Sequence, residues 1–312
     1  MDRSGNGSRR GVVLAVVGAS GGAGASTLAA ACAVRAADSG RSVALVDAAV
    51  GGAGIDVVLG IDHLPGVRWP ELAGCRGRVD GLGLLSRMPR AGAVAVLAHS
   101  RDSPVWVGAA AERGVIAGLS DVLDLVVVDV PRAWSLGGWR TVDQESRDEL
   151  DGLDGLDGVD GSDGSEAPGR PGGPGGPGEL SGLGGLGGLG GLGGLGGWAS
   201  WGALGGGPAL SAVVVAGAGI LELAALAATA PRVAVLVPET FVVVRGHRLS
   251  RTVVGDVEAA LDLPVLGVLE HDPSVRRDLA RGIPPGRGRG PLAELAQSVI
   301  EAMDQRPREV AS

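Results

Sequence analysis

Six consecutive apolar residues, Val12–Val17, run directly into Gly18-Ala19-Ser20-Gly21-Gly22-Ala23-Gly24-Ala25-Ser26-Thr27, and an alanine-rich stretch follows. A short run of β-branched residues with no polar alternation predicts a strand buried on both faces. The glycines after it let the backbone turn sharply, and the composition of Ser26–Ala37 favours a helix. Ser42–Val46, closed by Asp47, is the next apolar run. Strand, loop, helix, strand at this spacing is a βαβ unit, whose crossover is right-handed and whose strands lie parallel. The chain is thereby committed to an α/β architecture.

Later segments repeat the pattern. Val94–Ala98 and Leu125–Val130 predict further buried strands, the second containing Asp129 and stopped by Pro131. Leu210–Ala216, Phe241–Val244 and Val265–Leu269 continue the series, with helices predicted over Ile220–Thr229, Val253–Leu261 and Pro291–Met303. The expectation is a mostly parallel central sheet flanked by helices. Between the halves the sequence changes: Gly-Leu-Asp triplets give way to Pro-Gly-Gly and then to Leu-Gly-Gly from Leu183 to Gly197. Glycine loses the most backbone freedom on ordering and offers no side chain to bury. We therefore expect a flexible N-terminus over 1–10, the first half of one domain over 11–140, a disordered insertion over 141–208, the second half over 209–304 and a tail over 305–312. Collagen-like pairing is disfavoured, since the Leu-Gly-Gly stretch has no imino acid. Trp198 and Trp201 are read as packing back on the parent domain.

The charge is uneven. Asp143–Glu166 carries ten carboxylates and one arginine, a local −9, so the rest of the chain sums to about +1 against the overall −8. That balance gives no strong nucleic-acid signal. All 27 basic residues are arginine and there is no tyrosine, which removes Schiff-base lysine chemistry, a phosphate-loop lysine and a Tyr/Lys acid–base pair. Two cysteines, Cys32 and Cys75, form neither a disulfide framework nor a zinc spacing. A reduced, cytoplasmic setting is the simplest expectation. No transmembrane segment is expected, because glycine, proline or arginine interrupts the apolar runs; peripheral contact with the inner face of a membrane stays open.

The chemistry concentrates at Gly18–Thr27. Converging backbone N–H groups and a helix N-terminus form a concavity suited to phosphate. Ser26 stands where a phosphate loop needs a hydroxyl for Mg²⁺, and Asp129 ends a buried strand where it could hold the metal through water. Asp47, at the tip of the second strand, faces the same crevice or serves as a helix cap. Asp56 is read as a cap or an exposed residue. His63, His99, His247 and His271 are dispersed without ligand spacing. The glycine loop followed by Asp47 also fits a dinucleotide fingerprint. Without tyrosine and lysine such a protein would be a catalytically silent dinucleotide binder. A nucleotide-free scaffold is the third alternative.

Taken together, Gly21–Thr27, Leu45-Val46-Asp47-Ala48, Gly51-Gly52-Ala53-Gly54-Ile55-Asp56 and Val126–Arg132 resemble the MinD/ParA superfamily of deviant Walker P-loop ATPases. Within it, the chain is most similar to the CpaE-like septum-site-determining (Ssd) proteins of actinobacteria. Gly66–Pro70, Val243–Gly246, Leu263–Gly267 and Gly282–Gly286 add weaker echoes in the same order, in both halves. The resemblance implies ATP and Mg²⁺ as cofactors, a homodimer, and a role in positioning division-septum or pilus and secretion machinery. It implies that Ser20, Gly21, Gly22, Ala23, Gly24, Ala25, Ser26 and Thr27 wrap the phosphates. Ser26 and Asp129 would serve the metal, and Asp47, the catalytic candidate, would sit near metal or water. The chain departs from the family where it matters chemically. The signature lysine falls at Ser20, the loop lysine at Ala25 and the second strand-two acid at Ala49. Preorganised charges of this kind each contribute several kcal/mol to phosphoryl transfer, so hydrolysis is expected to be weak or absent. Arg132 and Arg245 are candidates for partial replacement.

Overall fold

A computed structural model describes residues 10–48, 54–100, 102–103, 105, 107–130 and 208–305. Every described residue belongs to one compact unit. The expected insertion over 141–208, apart from the buried Pro208, lies outside the described residues, as do Trp198, Trp201 and most of both expected termini.

Eight strands form one sheet: β1 (Val12–Gly18), β2 (Val43–Asp47), β3 (Arg90–Ala91), β4 (Val94–Leu97), β5 (Leu125–Val130), β6 (Ala209–Gly217), β7 (Thr240–Arg245) and β8 (Val265–Leu269). Their order is β3-β4-β2-β5-β1-β6-β7-β8. All neighbours are parallel except the edge pair β3–β4. The predicted α/β class with a mostly parallel sheet is the observed one. β1 lies between β5 and β6, with Val12 opposite Leu125 on one side and Ala209 on the other. The halves that precede residue 131 and follow residue 207 therefore build a single sheet.

Alternation along the strands separates two buried layers. Val13, Ala15, Val17, Val46 and Val128 face one core, and Leu14, Val16, Leu45, Val127 and Val215 face the other. The second core is covered by α1 (Ala25–Asp38) and α8 (Pro291–Asp304), and the short α2 (Ile55–Val58) contributes Ile55. The first is covered by α3 (Gly81–Arg87), α4 (Ala109–Ser120) and α5 (Ile220–Leu236), with α6 (Arg251–Leu261) at its margin. α7 (Pro273–Leu279) buries no residue. Both faces of a parallel sheet must be covered in this way, because its strands carry no polar face.

Several elements differ from the sequence-based expectation. α5 continues past Thr229, through Pro231, to Leu236. Proline removes one helical hydrogen bond, yet Leu226, Ala230 and Val233 on either side of it are buried in the core, and that burial holds the helix together. α3, α4 and α7 are absent from the sequence-based expectation: α3 and α7 are only seven residues long, and in α4 the apolar stripe Ala111, Val115 and Leu119 is interrupted by Gly114 and Gly118. α3 and α4 meet through glycines. A Cβ on Gly118 would lie 2.1 Å from the Val79 carbonyl oxygen, and one on Gly114 would lie 1.9 Å from that of Gly77.

In an open helix, Gly→Ala stabilises by about 1 kcal/mol. Here Gly118→Ala is expected to destabilise by ~1–3 kcal/mol, since the added methyl overlaps backbone that cannot rotate away. Urea unfolding of the variant measures this, and an increased midpoint would contradict the packing described.

Candidate functional site

Because the strands are parallel, β1, β2, β5, β6 and β7 all end on the same edge of the sheet. That edge gathers Gly18, Asp47, Asp129, Gly217 and Arg245, each in the last two residues of its strand. Ligands of open parallel sheets bind at this carboxyl edge.

The loop between β1 and α1 begins with the Ala19 amide donating to the Val215 carbonyl at 2.8 Å. Gly22 and Gly24 then adopt φ of 72° and 93°, a left-handed backbone that other residues rarely take. Gly24 is the N-cap of α1 and no side chain caps the helix. The first amides of a helix have no intrahelical acceptor, so those of α1 are left for a ligand or solvent. The Ser20 hydroxyl is buried and has no hydrogen-bond partner among the described residues. An orphaned hydroxyl beside two left-handed glycines at a helix N-terminus fits a phosphate group.

Two carboxylates lie behind the loop. Asp47 and Asp129 are buried, only 2% and 5% exposed, and are paired in register across β2 and β5. Asp47 Oδ2 accepts from the Ile55 amide at 3.1 Å, and its carbonyl accepts from Trp69 Nε1. The Ala48 amide donates to the Asp129 carbonyl at 2.9 Å, fastening the two strand ends together. Burial pushes the Asp129 carboxyl up to about 7; a hydrogen bond from Ser26 opposes the rise and the neighbouring Asp47 adds to it. Ser26, Asp129 and Asp47 thus form a cluster of hard oxygen donors, the donor type Mg²⁺ takes. Among the described residues no three histidine, cysteine or carboxylate side chains gather as a metal cage. A magnesium ion here would complete its shell with phosphate and water, as Mg²⁺ commonly does.

A cavity of about 330 Å³ opens beside the loop. Ser20–Ala23 form one wall, and Gly217, Ala218, Glu222, Arg245–His247 and His271 form the rest. Sequence spacing does not reveal this second wall, whose residues are scattered over more than fifty positions. The available signal is that each group lies at or just past the carboxyl end of β6, β7 or β8. Of the two arginines considered, Arg245 is at the cavity, and Arg132 lies outside the described residues, as does Ala49. Asp56 is not exposed: it is 4% accessible, its Oδ1 accepts from the Val57 amide at 2.9 Å, and its Oδ2 lies 3.9 Å from Arg68 Nη2. The capping function considered for Asp47 is present too, through Ile55 at the start of α2. His63 is exposed, and His99 stands 6.0 Å from Trp69, ring centre to ring centre.

No protein-family model matches the chain. A protein described as uncharacterized, Rv3660c of Mycobacterium tuberculosis, is 37% identical over 122 residues. That stretch is 39% of this chain and 33% of the relative, so the alignment spans about a third of the curated protein. Among solved structures, the septum site-determining protein MinD complexed with Mg-ADP from Pyrococcus horikoshii superposes with a TM-score of 0.59 at 17% identity. The match covers 95% of this chain and 96% of that one. A ParA family ATPase from Chlorobium tepidum gives 0.55 at 14% identity, covering 95% and 98%. The chain has the fold of the MinD and ParA P-loop ATPases. No helix among the described residues is long and apolar enough to cross a membrane.

The raised Asp129 pKa sets a pH dependence of stability. Between its ordinary 3.8 and about 7, the folded chain keeps a proton that the unfolded chain has released. The contribution of Asp129 to stability therefore falls as pH rises through that window. Without Mg²⁺, Asp129→Asn is expected to lose less stability than the wild type between pH 5 and pH 8, as read by chemical denaturation. Identical pH profiles for the two proteins would contradict the assignment.

Proposed function

We propose that this chain is an ATP-binding regulatory protein of the MinD/ParA type, related to the CpaE-like septum-site-determining proteins. In this reading it takes part in positioning division-septum or pilus and secretion machinery, and hydrolyses ATP weakly or not at all. The observation that carries the reading is the convergence of the glycine loop, the Ser26 hydroxyl and two buried carboxylates on one sheet edge, beside a cavity.

The backbone amides of Ser20–Thr27 and the start of α1 bind and orient the phosphates. Ser26 and Asp129 hold Mg²⁺, which when bound would neutralise phosphate charge. Asp129 must give up its proton to do so, so metal binding favours its ionised form. Asp47 orients metal-bound or free water and, through its bond to the Ile55 amide, connects the site to α2. A nucleotide that shifts Asp47 would move α2 and alter the surface that a partner contacts. Ser20 and Ala25 stand where the family's two lysines would be. The site thus lacks charges that each contribute several kcal/mol to phosphoryl transfer, which favours a binding switch over a fast enzyme. The partners proposed are a second copy of the chain and proteins of the positioned machinery. The setting proposed is cytoplasmic, in keeping with the free thiols of Cys32 and Cys75.

Calorimetry with ATP, ADP and NAD(H), with and without Mg²⁺, tests the reading. Saturable, Mg²⁺-dependent binding of adenine nucleotides is expected, together with its loss in Gly24→Val, whose side chain would strain a left-handed position and crowd Leu269. Ser26→Ala, which leaves the loop backbone intact, is expected to weaken the Mg²⁺ dependence. Binding of NAD(H) alone would replace the reading with a dinucleotide binder, and no binding at all would leave a scaffold.

A further inference from the structure

The glycine loop contains no cation, since residues 18–27 include neither lysine nor arginine. A polyphosphate brings several negative charges to a site already holding Asp47 and Asp129. Glu222 adds a carboxylate at the cavity wall. Loop amides alone leave that charge poorly compensated, so a cation should reach the loop from another element.

Arg245 does so. It is the last residue of β7, and its backbone is held from both sides: the Ala218 amide donates to its carbonyl at 2.9 Å, and the following Gly246 amide donates to the Leu269 carbonyl at 3.2 Å. Its Cα is therefore fixed relative to β6 and β8, and only the side chain is free to move. That side chain crosses to the phosphate loop, where Nη1 donates to the Gly22 carbonyl. Its Cδ and Nη1 lie 3.9 Å from the position a Cβ would take on Gly24. Gly22 and Gly24 are the two left-handed residues that shape the concavity. Among the described residues Arg245 takes part in no ion pair.

We propose that Arg245 is the phosphate-binding cation of this site, acting from β7 in place of a lysine within the loop. The inference rests on the nucleotide reading above. A guanidinium bonded to a neutral carbonyl gains more from an anionic oxygen, because charge-assisted bonds are stronger and the planar fork can engage two oxygens at once. An arriving phosphate would draw Nη1 from the Gly22 carbonyl to itself. The exchange frees the loop carbonyl and ties β7, with its neighbours β6 and β8, to the presence of phosphate. A loop lysine would report only to the loop and α1; an arginine on β7 reports to the second half of the chain.

The test is calorimetry of the full chain with Mg-ATP and with Mg-tripolyphosphate, which carries phosphates and no base. Wild type is compared with Arg245→Ala, Arg245→Gln and Arg245→Lys. Arg245→Ala is expected to weaken both ligands by ~10- to 100-fold, the scale of one charge-assisted hydrogen bond. Arg245→Lys should recover much of the loss. Arg245→Gln, which keeps a polar side chain but carries no charge and is shorter, should bind as poorly as the alanine variant. Ligand-free unfolding midpoints of the exposed variants should match the wild type, separating phosphate binding from a structural clamp. Wild-type affinity in Arg245→Ala, or full recovery in Arg245→Gln, would overturn the role of Arg245 and leave the nucleotide reading standing. Failure of the wild type itself to bind Mg-ATP would remove both.

Discussion

The pairing of β1 with β5 on one side and β6 on the other is the constraint from which the rest of the molecule follows. β1 is buried along nearly its whole length and its backbone is satisfied by strands from both halves of the chain. The loop that leaves its carboxyl end must therefore emerge at the middle of the sheet edge. Asp129 on β5 lies to one side of it, with Asp47 on β2 just beyond. On the other side come Gly217 on β6 and Arg245 on β7. No single segment contains this site. Parallel pairing assembles it by bringing distant strand ends to one edge.

The electrostatics of that edge are unusual in where the positive charge is placed. Buried carboxylates are costly unless they are paired, bonded or protonated. Asp47 accepts a helix amide. Asp129 accepts from Ser26 and, with a pKa near 7, is partly protonated at neutral pH. Neither has a lysine in the loop to lean on. On the proposed reading, a site of this kind binds nucleotide with metal and turns it over slowly or not at all. Catalysis requires preorganised charge at the phosphates, whereas the binding proposed here would draw on loop amides, metal and a single guanidinium.

Much of the fold was legible because buried parallel strands are uninterrupted apolar runs. Val12–Val17, Leu125–Val130 and Val265–Leu269 could be read almost to the residue. Helices were harder. α1 was clear from its alanines, but α5 extends seven residues beyond the expected Thr229, since burial of Ala230 and Val233 outweighs the cost of Pro231. α3 and α4 pack through glycines that in sequence resemble turn residues. At the site, the loop, Asp47 and Asp129 were recognisable because each adjoins a strand with a strong signal. Arg245 could not be told from Arg132, and Glu222, His247 and His271 drew no attention as a group. Their proximity comes from strand order, which spacing along the chain does not encode. The exposed alternative for Asp56 fails for the same reason: the chain near it, around Arg68, is remote from the β2 motif.

On the proposed reading, one edge of the sheet is a nucleotide-responsive switch made from both halves of the chain. Amide hydrogen exchange of the full chain with and without Mg-ATP tests it most directly. The account predicts added protection at Ala19–Leu28, around Asp47 and Ile55–Val58, and at Gly217–Glu222 and Arg245–His247, while the far ends of the strands stay unchanged. Exchange that is indifferent to Mg-ATP at all of these segments would contradict it.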